Sequence, residues 1–260
     1  MRTLVIIPTY LEADNISEVL RRVRASVPHV DILVVDDSSP DGTADLAKAT
    51  NEEVGQVEVL VRPDKGGLGV AYRAGFEHGF EHDYEVVVQM DADLSHDPAS
   101  LPELLGGIDA GADVAIGSRY VKGGNIPHWP WQRRVLSRIG NLYASTALGL
   151  GVRDATSGFR AYRVTTLRSI QAGATKATGY GFQVELAYRA HRQGARIVEV
   201  PITFMDRVRG ESKMSWHIIG EAMSLVTWWS FRDRVVGKLR RRPADRSEST
   251  PTPAPAPETD

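Results

Sequence analysis

An α/β domain with a mainly parallel sheet flanked by helices is the fold the sequence predicts. Three observations predict it. Short apolar runs alternate with helical patterns through the first half of the 260-residue chain. Those runs are continuous Val/Ile/Leu stretches without polar alternation, which suits strands buried on both faces. A polar cluster follows three of the runs directly, and right-handed crossovers place all strand C-termini along one edge, where such sheets bind ligands.

The elements follow in chain order. Strands are expected at Arg2–Ile7, Ile32–Val35, Val57–Val61, Glu85–Met90 and Val114–Ile116, with helices at Asn15–Ser26, Asp41–Ala49, Gly69–Phe80 and Pro98–Ala110 between them. The second half is less regular. Trp131, Val135, Leu136, Ile139, Leu142, Tyr143 and Ala147 recur at helical spacing within Trp129–Leu150. Tyr180–Arg192 predicts another helix, Arg196–Ile202 a strand, and Trp216–Phe231 a helix with a wide apolar side. From Pro243 onward Pro, Ser, Thr and Ala dominate, and a disordered tail is expected. The division is thus a catalytic or binding domain over 1–215, an amphipathic, basic-ended segment over 216–242, and a tail over 243–260.

Composition bounds the function. With 42% hydrophobic and 25% charged residues, the chain is neither globally disordered nor collagen-like nor a polytopic membrane protein. A cysteine count of 0 excludes disulfides, thiolate metal sites and a Cys nucleophile, and fits a cytosolic compartment. A net charge of −2 argues against a nucleic-acid binder. The run Leu4–Ile7 is far shorter than a signal-peptide core. No stretch approaches the roughly 20 apolar residues that span a bilayer.

The polar clusters carry the chemistry. Pro8-Thr9-Tyr10-Leu11-Glu12 follows the first strand, Asp36-Asp37-Ser38-Ser39-Pro40-Asp41-Gly42-Thr43 the second, and Asp91-Ala92-Asp93-Leu94-Ser95-His96 the fourth. They are far apart in sequence and converge on one crevice in such a fold. Asp91 and Asp93 offer two hard oxygen ligands, suited to Mg²⁺ or Mn²⁺ with positions left for phosphate oxygens. Asp36 or Asp37 is placed to accept hydrogen bonds from a ribose or a base, while Asp41 caps the next helix. Lys65-Gly66-Gly67-Leu68-Gly69 does not fit a dinucleotide fingerprint, since it follows the third strand and lacks the last glycine. It reads as a glycine turn opening a helix, with Lys65 near the crevice. Arg119, Arg160, Arg207 and Lys213 are placed as candidate phosphate contacts.

Taken together, Pro-Thr-Tyr-x-Glu, Val-Asp-Asp-x-Ser-Pro-Asp-Gly-Thr, Gly-Leu-Gly-x-Ala, Met-Asp-Ala-Asp-Leu-Ser-His and Asp-Arg-Val-x-Gly-Glu-Ser-Lys closely resemble, in this order, the dolichol-phosphate (polyprenol-monophospho-) mannose synthases. These are inverting family-2 glycosyltransferases of the GT-A nucleotide-diphospho-sugar transferase fold. The resemblance runs from Arg2 to Phe231. It implies nucleotide contacts from Pro8, Tyr10 and Glu12, with Val35 and Asp37 beside base and ribose. It implies that Asp91, Ala92 and Asp93 hold the diphosphate through a divalent cation (Mg²⁺ or Mn²⁺), Asp93 being the principal ligand. Arg119, Arg207 and Lys213 would contact the diphosphate side of the donor, and Arg160 the acceptor phosphate.

The implied reaction moves mannose from GDP-mannose to a polyprenyl phosphate. Two competitors remain open: a glucosyltransferase using UDP-glucose, and a non-catalytic nucleotide-sugar-binding protein at the membrane. A lipid acceptor makes the membrane surface an expected partner. The apolar, Trp-bearing side of Trp216–Phe231 precedes Arg232–Arg242, which holds six basic residues and one acid, a pattern of interfacial helices on anionic lipid. The expected location is cytoplasmic, peripheral on the cytoplasmic face of a membrane, either alone or through a membrane-anchoring partner protein.

Overall fold

The computed structural model describes residues 1–175, 177, 179–206, 220 and 223–232. Seven strands, β1 (Thr3–Thr9), β2 (Asp31–Asp36), β3 (Val57–Val61), β4 (Val86–Gln89), β5 (Val114–Ser118), β6 (Arg160–Arg163) and β7 (Ile197–Pro201), form one sheet in the order β3-β2-β1-β4-β6-β5-β7. The pairs β1–β2, β2–β3, β1–β4 and β5–β7 are parallel. β6 is the exception: it runs antiparallel to both neighbours, β4 and β5. The sheet is therefore mixed, and β6 is a strand the apolar-run pattern does not predict.

Seven helices flank it: α1 (Ile16–Ser26), α2 (Thr43–Val54), α3 (Leu68–Glu81), α4 (Leu101–Asp109), α5 (Trp131–Leu148), α6 (Val164–Ser169) and α7 (Tyr180–Arg192). Residues 223–232 are also helical. Strand side chains alternate between two cores. Leu4, Ile6, Leu33, Val35 and Val87 pack with α3 and α7 through Tyr72, Phe76 and Phe182. Val5, Ile7, Ile32, Val34 and Val88 pack with α1 and α4 through Ile16, Leu20, Leu101 and Leu104. Each fully buried aliphatic side chain contributes about 1.5–3 kcal/mol, which explains why β1, β2 and β4 carry apolar residues on both faces. Close packing sets the helix spacing too: a Cβ on Gly75 of α3 would lie 2.6 Å from Ile6 Cγ2.

Among the described residues no helix is long and apolar enough to cross a membrane. The chain from Pro243, expected to be a tail, lies outside the described residues, as does most of the 216–222 stretch of the last expected helix.

Candidate active site

The parallel strands β1, β2 and β4 end on one edge. The register Gln89↔Arg160 brings the start of antiparallel β6 to that same edge, so residues 156–159 join the loops after β1, β2 and β4. The result is a crevice of about 370 Å³ lined by Pro8, Tyr10, Glu12, Asp37, Lys65 and Gly67 at one side and by Asp91, Ala92, Asp93, Thr156, Gly158 and Gln183 at the other. Sequence clusters more than eighty residues apart thus meet, as topology requires.

On the β2 side of the crevice, Asp36 at the end of β2 and Asp37 just after it divide their work. Asp36 is fully buried and accepts from Thr9 Oγ1 (2.8 Å), Ser39 Oγ (2.6 Å) and Ser39 N–H (2.8 Å), which shapes the loop. Asp37 lines the crevice, paired with Arg62 and accepting from the N–H groups of Gly66 (3.0 Å) and Gly67 (3.2 Å). Gly67 precedes α3 with φ +83°, a conformation that favours glycine. Lys65, on the same turn, places its ammonium 3.8 Å from the Tyr10 ring centre. Asp41 accepts from Thr43 N–H and Oγ1 and from Ala13 N–H, tying the start of α2 to the β1 loop, although the residue at the cap itself is Gly42.

The paired acids sit beyond β4. Asp93 Oδ1 accepts from Ser95 N–H at 3.0 Å across a loop in which Leu94 is left-handed (φ 60°). Asp91 accepts from Tyr72 Oη at 3.2 Å. Burial, then the neighbouring Asp91, push the Tyr72 phenol well above its ordinary value of 10.0, so it stays a donor. His96 is buried, stacked on Phe159 at 5.2 Å, with Nδ1 accepting from Asp91 N–H at 3.3 Å. Among the described residues no third His, Cys, Asp or Glu joins Asp91 and Asp93 in a metal cluster. Two carboxylates opening on a crevice are a donor set for a hard divalent cation that shares its other positions with phosphate oxygens.

Three residues expected at the site stand outside the crevice lining. Arg160, expected at an acceptor phosphate, is fully buried: Nε donates to Ser157 O (2.7 Å), and the terminal nitrogens donate to Gln183 O (2.8 Å), Ala155 O (2.6 Å) and Tyr162 Oη (3.4 Å). Its fork satisfies carbonyls of the loop before β6. Arg119, expected at the diphosphate, is buried and bidentate on Asp154, with both N···O distances 2.7 Å, and also donates to Thr156 Oγ1. Burial alone would raise the Asp154 carboxyl, but the Arg119 charge and hydrogen bonds hold it below 3.8. Val35, expected beside the base, is a core residue with no exposed surface. Arg207 and Lys213 lie outside the described residues. The last residues before them run beside the acid loop, since Met205 N–H donates to Ser95 O at 3.2 Å.

Sequence reasoning missed Tyr72, Arg62 and Gln183. Each stands inside or beside a regular element, where its spacing signals only a helix face or a strand end.

The chain is 51% identical over 235 residues to the polyprenol monophosphomannose synthase of Mycolicibacterium smegmatis, covering 90% of this chain and 89% of that protein. It is 52% identical over 242 residues to the undecaprenyl-phosphate mannosyltransferase of Micrococcus luteus, covering 93% and 99%. A mannosyltransferase of Pyrobaculum calidifontis solved with GDP-Man and Mn²⁺ superposes with a TM-score of 0.59 at 18% identity, over 90% of this chain and 64% of that one, a likeness of fold. The Glycosyl transferase family 2 description matches residues 4–170, and the chain belongs to that family of enzymes.

Proposed function

We propose that the enzyme transfers mannose from GDP-mannose to a polyprenyl phosphate with inversion, giving polyprenyl-phosphate β-mannose and GDP. The observation that carries this reading is half-identity over nearly the whole length of two proteins named for polyprenyl-phosphate mannosyl transfer. The crevice supports it. Asp37, Tyr10, Glu12 and Lys65 flank room for a nucleoside, and Asp91 and Asp93 stand next along the edge, where a diphosphate would follow.

The acceptor is a phosphate oxyanion, already ionised near pH 7, so no strong general base is needed to make the nucleophile. Its oxygen forms a bond to the mannose anomeric carbon as the bond from that carbon to the diphosphate oxygen breaks, and GDP leaves with the electron pair. A divalent cation held by Asp91 and Asp93 would supply charge stabilisation for that departing diphosphate. Tyr72 and Ser95 N–H fix the two carboxylates before substrate arrives, which reduces reorganisation during transfer. Arg119 and Arg160 act from below, pinning the 154–158 loop whose Thr156 and Gly158 form the crevice wall. Arg207 and Lys213 remain our assignment for the donor's diphosphate side.

The lipid acceptor would be met on a membrane surface. Trp131, Val135, Ile139 and Leu142 recur every three or four residues along α5 and are exposed, Trp131 by 70% and Leu142 by 64%. Tyr143 of the same helix shares a 2.7 Å hydrogen bond with Thr227 of the 223–232 helix, which exposes Trp228 and Phe231. Exposed apolar side chains with arginines among them, Arg138 on α5 and Arg232 beyond, suit the boundary of an anionic bilayer.

The test is transfer of radiolabelled sugar into organic-extractable lipid, from GDP-mannose or UDP-glucose, with and without EDTA. Label from GDP-mannose that EDTA abolishes is the expected result. Label from UDP-glucose alone overturns the donor, and label that survives EDTA overturns the cation.

A further inference from the structure

One polar side chain in the crevice has no partner. Gln183 stands one turn into α7, is only 2% exposed and lines the crevice with Thr156, Gly158 and Gly179. Neither its amide nitrogen nor its amide oxygen makes a hydrogen bond. A buried primary amide left in this state is destabilising, and such groups in native proteins call for an explanation. Gln89 provides the contrast. It is also buried with both amide atoms unpaired, but it does not line the crevice.

Gln183 is also held firmly in place. Its own carbonyl accepts from Arg160, whose other donors hold Ala155 and Ser157, so the helix and the neighbouring loop of the crevice wall are fixed to the same guanidinium. The preceding Phe182 stacks on Tyr72 with ring centres 6.0 Å apart, and Tyr72 donates to Asp91. Gln183 is thereby registered against the acids expected at the diphosphate. Gly158, which lines the crevice with Gln183, also lies against the acids: a Cβ there would make ordinary contact with Asp91 Oδ2 at 3.6 Å.

Position and chemistry together narrow the ligand group. Along the edge the order is Asp37 after β2, Tyr10 and Glu12 after β1, Asp91 and Asp93 after β4, then the residues before β6. A nucleoside at the Asp37 side and a diphosphate at the acids leave the β6 side for the transferred sugar. A neutral amide cannot offset phosphate charge, but it gives one hydrogen bond and takes another, as a sugar hydroxyl pair requires. We propose that Gln183 reads the hydroxyls of the transferred hexose, donating through its amide nitrogen and accepting through its oxygen. This deepens the mannosyltransferase reading and rests on it.

The experiment compares Gln183→Met, close in shape and free of hydrogen-bonding groups, with the wild-type enzyme. Four quantities are measured: the melting temperature, GDP affinity by calorimetry, kcat/KM for GDP-mannose, and kcat/KM for GDP-linked deoxymannoses. Because the amide is unpaired in the free protein, the variant should melt no lower than the wild type. GDP, which carries no sugar, should bind within about twofold of wild type, while kcat/KM for GDP-mannose falls about 10–100-fold. The penalty that wild type shows for one deoxymannose should disappear in the variant. Parallel losses for GDP and GDP-mannose, or a kcat/KM within about twofold of wild type, overturn the proposal. A wild-type enzyme that uses UDP-glucose instead overturns the donor, and Gln183 is then judged by the same ratio between UDP and UDP-glucose.

Discussion

The two ends of the crevice edge treat charge in opposite ways. Around β1, β2 and β4, the acids at strand ends reach the crevice: Asp37, Asp91 and Asp93 all line it. Around β5 and β6, the arginines at strand ends turn inward, Arg119 onto Asp154 and Arg160 onto three carbonyls. The cause is topological. Inserting an antiparallel strand into a parallel sheet requires the 154–158 segment to cross the edge before its ladder begins, and its buried carbonyls must be satisfied by something. A long, rigid fork of N–H donors does this, and short carboxylates do not. An arginine after a strand is therefore a weak signal for phosphate binding wherever the strand direction reverses.

Removing charge on the open side should cost activity and little stability. Asp93→Ala is expected to lower kcat/KM about 10³-fold, the scale of losing preorganised charge stabilisation. Its melting temperature should fall only by the loss of one hydrogen bond to Ser95 N–H, about 1 kcal/mol. Lipid-extractable label and thermal melts measure the two. Retained transfer would end the division of labour drawn above.

On the closed side the balance reverses. Asp154→Asn leaves the Arg119 guanidinium buried without its counter-charge, at a cost of about 3–5 kcal/mol in stability. Any loss of transfer should be matched by a loss of folded protein. The pH dependence has a definite sign. The Asp154 carboxyl is held below 3.8 in the fold, so its contribution is present above that value and lost as pH falls through the lower folded value. Wild type and variant should differ by a constant amount at neutral pH and converge only below about pH 4, as denaturant unfolding at several pH values would show.

This same division explains what was legible beforehand. β1, β2 and β4 announce themselves because both faces are buried, and the acids after them stay polar in a polar place. β6 has only four residues, Arg160-Ala161-Tyr162-Arg163, with an arginine at each end, so hydropathy hides it even though Arg160 to Tyr162 are fully buried. α6, at six residues, is too short for a 3.6-residue period to show. Tyr72 and Gln183 are concealed differently. Both lie on helix faces whose neighbours are core residues, and only the three-dimensional register reveals that Tyr72 donates to a crevice acid and that Gln183 is part of the crevice wall.

The smallest expected effects sharpen the comparison most, because two buried tyrosines that pack on the same ring, Phe76, bond to opposite sides of that comparison: Tyr72 to Asp91 and Tyr162 to Arg160. Tyr72→Phe removes one hydrogen bond to Asp91 and keeps the ring packing on Phe76 and Phe182. A single such bond is worth about 1 kcal/mol, so the Mn²⁺ concentration for half-maximal transfer should rise about fivefold with little change in melting temperature. Tyr162→Phe removes a 3.4 Å contact from Arg160, which keeps its three carbonyl partners. It should leave Mn²⁺ activation unchanged and shift stability by less than about 1 kcal/mol. If the two variants moved Mn²⁺ activation equally, the closed side would be coupled to the acids through more than wall placement, and Arg160 would regain a role in the transfer itself.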